Sequence, residues 1–382
     1  MSNKKILFGV CGIGRGHTYR QFPVISYFAK KQCKIVIFAF DESYDFYSLA
    51  FKYRKNIKIY QVFVPWIHGG VDGIDYKRTA NENFNKNQNC ISLNFSAMNK
   101  ALDFLGKPDL VISDYEPISA QFAYSLDAKF ITIDQQSKFF NNGYFDTKNG
   151  ISVAEERSRL GLFFPRADRR IACSFFIPPS KQSISGNFKV EIIPPVIREE
   201  ISQLRVKNKK DKFKQNNILI YLSPYSQFTQ SPNDVFKILS QFPDYCFRLF
   251  ISKKSDFFNA KNIPSNVIIN SHGSGSFFNA FNESGSVVCT AGHTFISEAM
   301  YLRKPVYAIP LNTYEQKYNA EIIDKYKFGI TRNKLEIKSL RYFLEMSFLF
   351  KKNIINDDKI LLNKKRGQKY IIGVINKLLL QS

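Results

Sequence analysis

Val287-Val-Cys-Thr-Ala-Gly-His-Thr-Phe-Ile-Ser-Glu298 is the stretch on which the reading of this chain turns. Val287, Val288 and Cys289 form a short buried strand. A tight turn follows at Ala291-Gly292, and a helix starts at His293-Thr294 with Glu298 just over one turn in. Pro305 to Pro310 holds a second apolar strand, and Glu315-Gln316 and Asn319 lie on another helix. A strand that delivers a glycine turn onto a helix N-terminus makes an anion site, because free N–H groups and the positive end of the helix dipole point at one spot. Gly292 frees the turn, and Thr294 and the N–H groups beside His293 can meet phosphate. Glu298 can reach ribose hydroxyls, and Gln316 and Asn319 a sugar or a phosphate. The stretch reads as a nucleotide diphosphate pocket. The plainer alternative is a helix capped by Thr294 with an exposed Glu298; the combination with Pro305, Pro310 and Glu315-Gln316 weighs against it.

Outward from this stretch the same grammar repeats. Apolar strands at 218–222, 246–251, 267–269, 287–289 and 306–309 alternate with helices. The first half does likewise, with strands at 6–11, 35–40, 57–64, 109–114, 129–134, 170–176 and 190–193. Short apolar strands alternating with helices predict parallel sheets covered on both faces. Residues 198–216 are dominated by Glu, Lys, Asn and Gln and read as a linker. The expected division is 1–197, the linker 198–216, a second domain over 217–357, and a basic helix within 358–382 that packs at the domain junction. Residues 68–89 are polar and lack periodicity, so they read as a substrate loop or a partly helical segment.

Gly12-x-Gly14-x-Gly16 follows the first strand and opens a helix at His17. A dinucleotide fingerprint needs its third glycine one position later. A histidine at the carboxyl edge of a parallel sheet, on a helix N-terminus, suits a general base; the alternative is a histidine that caps its own helix. Asp114 ends a neighbouring strand and could orient His17, or serve as an ordinary N-cap. Ser223, in a Ser-Pro-Tyr-Ser turn after the first strand of the second half, could touch diphosphate or form a plain turn. His68 and His272 have no partners at metal spacing, so no metal site is expected.

The chain has 382 residues, 44% of them apolar, which suits two domains with real cores. Its net charge of +23 favours anionic partners such as nucleotides, phospholipid headgroups or nucleic acid. A lysine- and asparagine-rich composition accounts for the charge equally well. Six scattered cysteines without a C-x-x-C pair read as reduced thiols. With no signal-peptide pattern and no run long enough to span a bilayer, the protein is expected in the cytoplasm. Leu162-Phe-Phe-Pro-Arg-Ala-Asp-Arg-Arg170 offers a patch for an anionic membrane surface, or else a buried helix end followed by a core strand.

The glycine turn with His17, together with Ala291-Gly292, Glu298-Ala299, Pro305, Pro310, Gln316 and Asn319-Ala320, resembles the GT-B glycosyltransferases, in their MurG-like and UDP-glycosyltransferase branch. The resemblance implies an α/β fold of two Rossmann-like domains with parallel sheets facing across a cleft, the first holding the acceptor and the second the nucleotide sugar. By position, His17 would be the base and Asp114 its support. Gly292 and Thr294 would form the phosphate turn beside His293, Glu298 would hold the ribose, and Gln316 would lie near the donor sugar. His293 and Phe295 depart from the family's smaller or polar residues, and Ser223-Pro-Tyr replaces a glycine-rich turn. The expected reaction is inverting, metal-independent transfer from a UDP-sugar such as UDP-GlcNAc, without a cofactor. Its acceptor would be a cell-envelope glycan, a glycolipid, a lipid-linked or anionic molecule at the inner membrane face, or a small molecule. A UDP-GlcNAc 2-epimerase of the same fold is the enzyme alternative, and a basic nucleic-acid-binding protein with an inactive cleft the non-enzyme one.

Overall fold

The computed structural model describes residues 3–64, 69–70, 73–74, 76–86, 89–148, 150, 152–177, 188–207, 214–222, 230–252, 255–357 and 366–381. The chain divides into two compact units, Met1–Val196 with Lys364–Ser382, and Ile197–Asn363.

In the first unit the apolar runs become β1 (Lys5–Val10), β2 (Lys34–Ala39), β3 (Ile57–Gln61), β4 (Leu110–Asp114), β5 (Phe130–Asp134), β6 (Arg169–Cys173) and β7 (Val190–Ile193). They form one sheet in the order β3-β2-β1-β4-β5-β6-β7, parallel throughout. Every residue of β4 and β5 is buried, which is why these strands read as continuous apolar runs. The second unit builds β8 (Lys214–Tyr221), β9 (Cys246–Ile251), β10 (Val267–Ser271), β11 (Ser284–Cys289), β12 (Val306–Ala308) and β13 (Gly329–Thr331). Its order is β10-β9-β8-β11-β12-β13, again parallel.

Both units therefore use the Rossmann order 3-2-1-4-5-6, the first with one strand added. The order reverses between β1 and β4, and between β8 and β11. Ligands of such sheets bind beyond the strand C-termini at this switch point. The helices that bear on those points are α1 (Arg15–Lys30), α2 (Pro117–Ser125), α3 (Glu199–Lys207), α4 (His293–Tyr301) and α5 (Tyr314–Lys325); α6 (Gly367–Leu380) comes last.

Two features differ from the sequence expectation, and one open alternative is decided. The 198–216 segment carries α3, and its residues fall in the second unit; Ile201 and Ser202 are buried despite the polar composition. In the segment 68–89 the partly helical alternative holds, with a helix over Tyr76–Lys86. Strand β13 was not foreseen. It is three residues long and starts on Gly329, where a Cβ would collide with the Val306 carbonyl of its partner strand. A glycine demanded by strand pairing reads in the sequence as a loop.

Helix α6 completes the first unit's core. Ile371, Val374, Ile375 and Leu379 recur at helical spacing and pack with Val24, Ile25 and Phe28 of α1. Burying such side chains contributes about 1.5–3 kcal/mol each. Gly367 opens α6 against the Pro194 carbonyl, too close for a side chain, and its N–H donates to Pro195 O at 3.1 Å. All six cysteines are free thiols, four of them buried. Among the described residues no helix is long and apolar enough to cross a membrane.

Candidate functional site

At the first switch point, β1 runs into the glycine turn. Gly12 lies against the Phe40 carbonyl with no room for a Cβ, and Gly14 takes φ 71°, so the chain needs glycine at both. Gly14 is the N-cap of α1, with no side chain capping the helix; Gly16 and His17 lie in its first turn. His17 therefore does not cap its own helix. Its Nδ1 lies 2.7 Å from Asp114 Oδ1, at the C-terminus of β4. Asp114 is no N-cap either. That role falls to Glu116, whose carboxylate accepts from the N–H groups of Ile118 and Ser119 at 2.7 and 2.8 Å to start α2.

Asp114 is fully buried and holds more than the histidine. Arg20 grips it side-on, Nε to Oδ2 at 2.8 Å and Nη2 to Oδ1 at 2.6 Å. Gln21 Nε2 donates to Oδ2 at 2.9 Å and to Ile133 O at 2.8 Å. Burial alone would raise the Asp114 carboxyl, but the Arg20 charge and then His17 hold it down at about 2. Burial works against the Arg20 cation, and Asp114 overcomes it, leaving the guanidinium firmly protonated.

The distances place a proton on His17 Nδ1. An unprotonated Nδ1 would put a lone pair 2.7 Å from carboxylate oxygen; with Nδ1 protonated, the lone pair of a neutral ring lies on Nε2. Arg20 Nη2 also lies 3.0 Å from Nδ1. With both nitrogens donating, the two N–H groups converge on Asp114 Oδ1. Tyr115 follows Asp114 at φ 57°, an uncommon backbone for a non-glycine residue. Its ring stacks near the imidazole at 6.2 Å and 20°.

At the second switch point, β11 leads into α4 through Gly292, the N-cap. As a glycine, this N-cap offers the helix no side-chain cap of its own. Gly292 has φ −66°, and a Cβ there would meet nothing within 4 Å. The turn therefore does not use glycine's conformational freedom, contrary to the sequence reading; the residue leaves open space at the helix start. Thr294 lies in the first turn and is half-buried. His293 is buried, and its N–H donates to Glu315 Oε1 at 3.3 Å. A carboxylate thus already sits at the positive end of α4.

Glu298 is 1% exposed, not the exposed side chain of the plainer alternative. Arg198 holds both of its oxygens, Nε to Oε1 at 2.7 Å and Nη2 to Oε2 at 2.5 Å, and its guanidinium lies over Phe277 and Phe278. Gln316 Oε1 accepts from Leu311 N–H at 2.9 Å. Asn319 is buried and donates to Ala291 O at 3.0 Å, so it braces the turn from α5. Ser223 and His68 lie outside the described residues.

Sequence reasoning missed Arg20, Gln21 and Arg198 as members of these clusters; it marked Glu315 within the stretch but gave it no role. Arg20 had a signal, since it stands three residues after His17 on the same helical face. Arg198 had none, lying 100 residues from its partner. The Leu162–Arg170 segment is mixed, with Leu162, Pro165, Arg166 and Asp168 exposed. Phe164 and Arg170 are buried in the core with Arg170 Nη2 at Phe164 O, and Arg169 pairs with Glu191. Among the described residues no group of three or more His, Cys, Asp or Glu side chains is placed to hold a metal.

A family model described as Glycosyl transferase family 1 matches residues 4–347. No curated protein matches the sequence. Solved structures with this architecture include CalG4, the calicheamicin glycosyltransferase, which is 16% identical over 99% of both chains with a TM-score of 0.66. Arabidopsis thaliana UGT89C1 is 11% identical, covers 99% of this chain and 100% of its own, and gives a TM-score of 0.67. A UDP-glucose: anthocyanidin 3-O-glucosyltransferase in complex with UDP is 12% identical over 100% of both chains, with a TM-score of 0.66. At these identities the structural likeness speaks to the fold, which is GT-B.

Proposed function

Since the chain belongs to glycosyl transferase family 1 and is a glycosyltransferase of the GT-B fold, we propose that it transfers a hexose from a UDP-sugar to an acceptor hydroxyl with inversion and without a metal ion. The observation that carries this reading is the buried His17–Asp114 contact of 2.7 Å at the C-terminal edge of a parallel sheet. A neutral imidazole with its Nδ1 proton anchored has one lone pair left to give, on Nε2.

His17 Nε2 takes the acceptor's hydroxyl proton as the acceptor oxygen bonds to the anomeric carbon. The bond from that carbon to the diphosphate oxygen breaks, and the electron pair leaves with the diphosphate. The N–H groups at the start of α4, beside the open space at Gly292, receive the developing charge. Attack opposite the leaving group inverts the anomeric centre. Glu298 keeps further lone pairs beside its two Arg198 bonds and can accept from ribose hydroxyls. Gln316 lies on the helix that follows, near the donor sugar. Ser223 completes the proposed diphosphate contacts. The acceptor class is a glycan, a glycolipid or a small molecule of the cytoplasm or the inner membrane face. The family match lends no support to the epimerase or nucleic-acid readings.

The test is a thermal-shift panel of nucleotide sugars, followed by mass and anomer analysis of products made with the best ligand. A ligand at a hundred times its Kd stabilises the fold by about 2.7 kcal/mol. One UDP-sugar is expected to raise Tm and to give an inverted product in the presence of EDTA. A panel without a shift, or activity abolished by EDTA, sinks the proposal.

A further inference from the structure

We propose that Arg20 is a positioning residue that sets the proton balance of His17, its guanidinium offsetting the charge of Asp114 so that the imidazole meets the acceptor as a neutral base. The inference rests on the reading of His17 as the proton acceptor and adds a third member to that pair.

The argument is one of charge. A buried carboxylate alone beside an imidazole favours the imidazolium, and a base that already holds its proton cannot take another. Here the carboxylate is shared. Two oxygens receive four donors: His17 and Arg20 at Oδ1, Arg20 and Gln21 at Oδ2. Arg20 and Asp114 together are neutral, and Arg20 Nη2 stands 3.0 Å from His17 Nδ1. Protonating His17 would place two cations side by side around one anion in a buried site, where screening is weak. The same fork locks Asp114 against rotation, so the imidazole keeps the orientation that frees Nε2.

Among the described residues, the groups that face the cluster supply no second cation for this role. From β1 comes the Cys11 thiol, pushed up by burial. Tyr47 bonds to Thr18 O at 2.9 Å and stays a neutral phenol, its proton held by burial. Cys173 at the end of β6 is likewise raised by burial, to about 12. Tyr115 is a neutral ring neighbour. Glu116, beyond Asp114, is raised by burial to about 7, and its bonds are spent on α2. Asp134 at the end of β5 is raised to about 6, by burial first and then by the Asp114 charge, and accepts from Ser137. These two carboxylates titrate in the working range, so the test must set them apart.

Arg20→Gln removes the charge and keeps an amide donor; Arg20→Lys keeps the charge and loses the fork. In Arg20→Gln the acid limb of the kcat/KM profile is expected to move up by about one pH unit or more, with the rate recovering as pH rises. Arg20→Lys keeps the limb in place at reduced kcat. The shift should persist in an Asp134→Asn background and in a Glu116→Gln background. A role confined to stability would lower the rate at every pH without moving the limb, and that result overturns the proposal. Imidazole NMR gives a readout that needs no substrate. The chain has four histidines, so His17 is assigned by its loss in His17→Gln. Wild-type His17 should show a neutral ring with the proton on Nδ1 at pH 7.5, and an imidazolium there overturns the proposal even if Arg20→Gln does not fold. If the NMR result holds while no sugar is transferred, the reading of the reaction fails and the coupling of Arg20 to His17 stands.

Discussion

The two units share one strand order and put opposite things at its switch point. In the first, β1 and β4 end in a cluster of side chains, His17, Asp114, Arg20 and Gln21, that satisfy one another. In the second, β11 ends at a helix whose N-cap glycine offers no side-chain cap of its own and leaves open space. The comparison teaches that topology fixes where chemistry is placed and side chains decide which kind. A charge network in the first prepares a proton acceptor, while the second presents a helix N-terminus whose leading N–H meets the Glu315 carboxylate.

The largest test of this division is His17→Ala. Loss of a general base costs about 10²–10⁴ in kcat. The variant should still be stabilised by the nucleotide that stabilises the wild type, because the donor half is untouched. Steady-state rates beside a thermal-shift titration check both, and near-normal turnover would break the comparison at its root.

Next comes Glu298→Ala. It leaves Arg198 without its carboxylate in a mostly buried site, and breaking such a pair costs about 3–5 kcal/mol. Chemical denaturation of the variant measures it. Joint replacement, Arg198→Met with Glu298→Leu, should recover part of that stability and yet abolish nucleotide binding if Glu298 holds the ribose.

The two units should also answer pH in opposite windows. Asp114 is held near 2 when folded, below its ordinary value of 3.8, so it contributes stability above pH 4 that fades as pH falls through 2. In the second unit Lys304 is buried with its Nζ bonded to the carbonyls of Asn282 and Ser284. Burial, and then Lys351, lower it from 10.5 to about 7. Between those values the unfolded chain binds the extra proton, so this group makes stability rise with pH, at most by about 1.4 kcal/mol per unit. Lys304→Met should flatten the slope from pH 7 to 10, read by denaturant midpoints across that range. An unchanged slope would mean that Lys304 keeps its charge throughout.

The smallest effect on the fold belongs to Gly292→Ala. With φ −66° and no neighbour within 4 Å, an added methyl should leave Tm unchanged or raise it by up to about 1 kcal/mol of stability. If a phosphate packs against this Cα, nucleotide affinity should fall about tenfold. Equal affinity in the variant would remove Gly292 from the donor site.

Most of the architecture was legible because parallel strands buried on both faces write themselves as apolar runs. Twelve of the thirteen described strands of the two parallel sheets stood out in this way; β13 was hidden by its length and by Gly329. Site residues were legible where a backbone motif marks them, as for the glycine turn before His17 and the turn before α4. They were hidden where only a side-chain reach across the fold makes the partner. Nothing local to Arg198 announces Glu298, and Asn319 reads as a ligand residue until its amide is seen holding the Ala291 carbonyl. Glu116 and Asp114, two residues apart in one turn, exchanged the roles that capping preference alone would assign, because β4 ends with Asp114 facing α1.

Helix α6 gives this chain an order of assembly. The first unit lacks one wall of its core until Ile371, Val374, Ile375 and Leu379 arrive, and these leave the ribosome only after the entire second unit has been made. Domains otherwise tend to mature in the order of synthesis. Here the unit translated later can close first, while the earlier one waits with the apolar side of α1 uncovered, a nascent-chain surface for chaperones to guard. The proposed proton acceptor thus belongs to the unit translated earlier and is seated among the last of the parts.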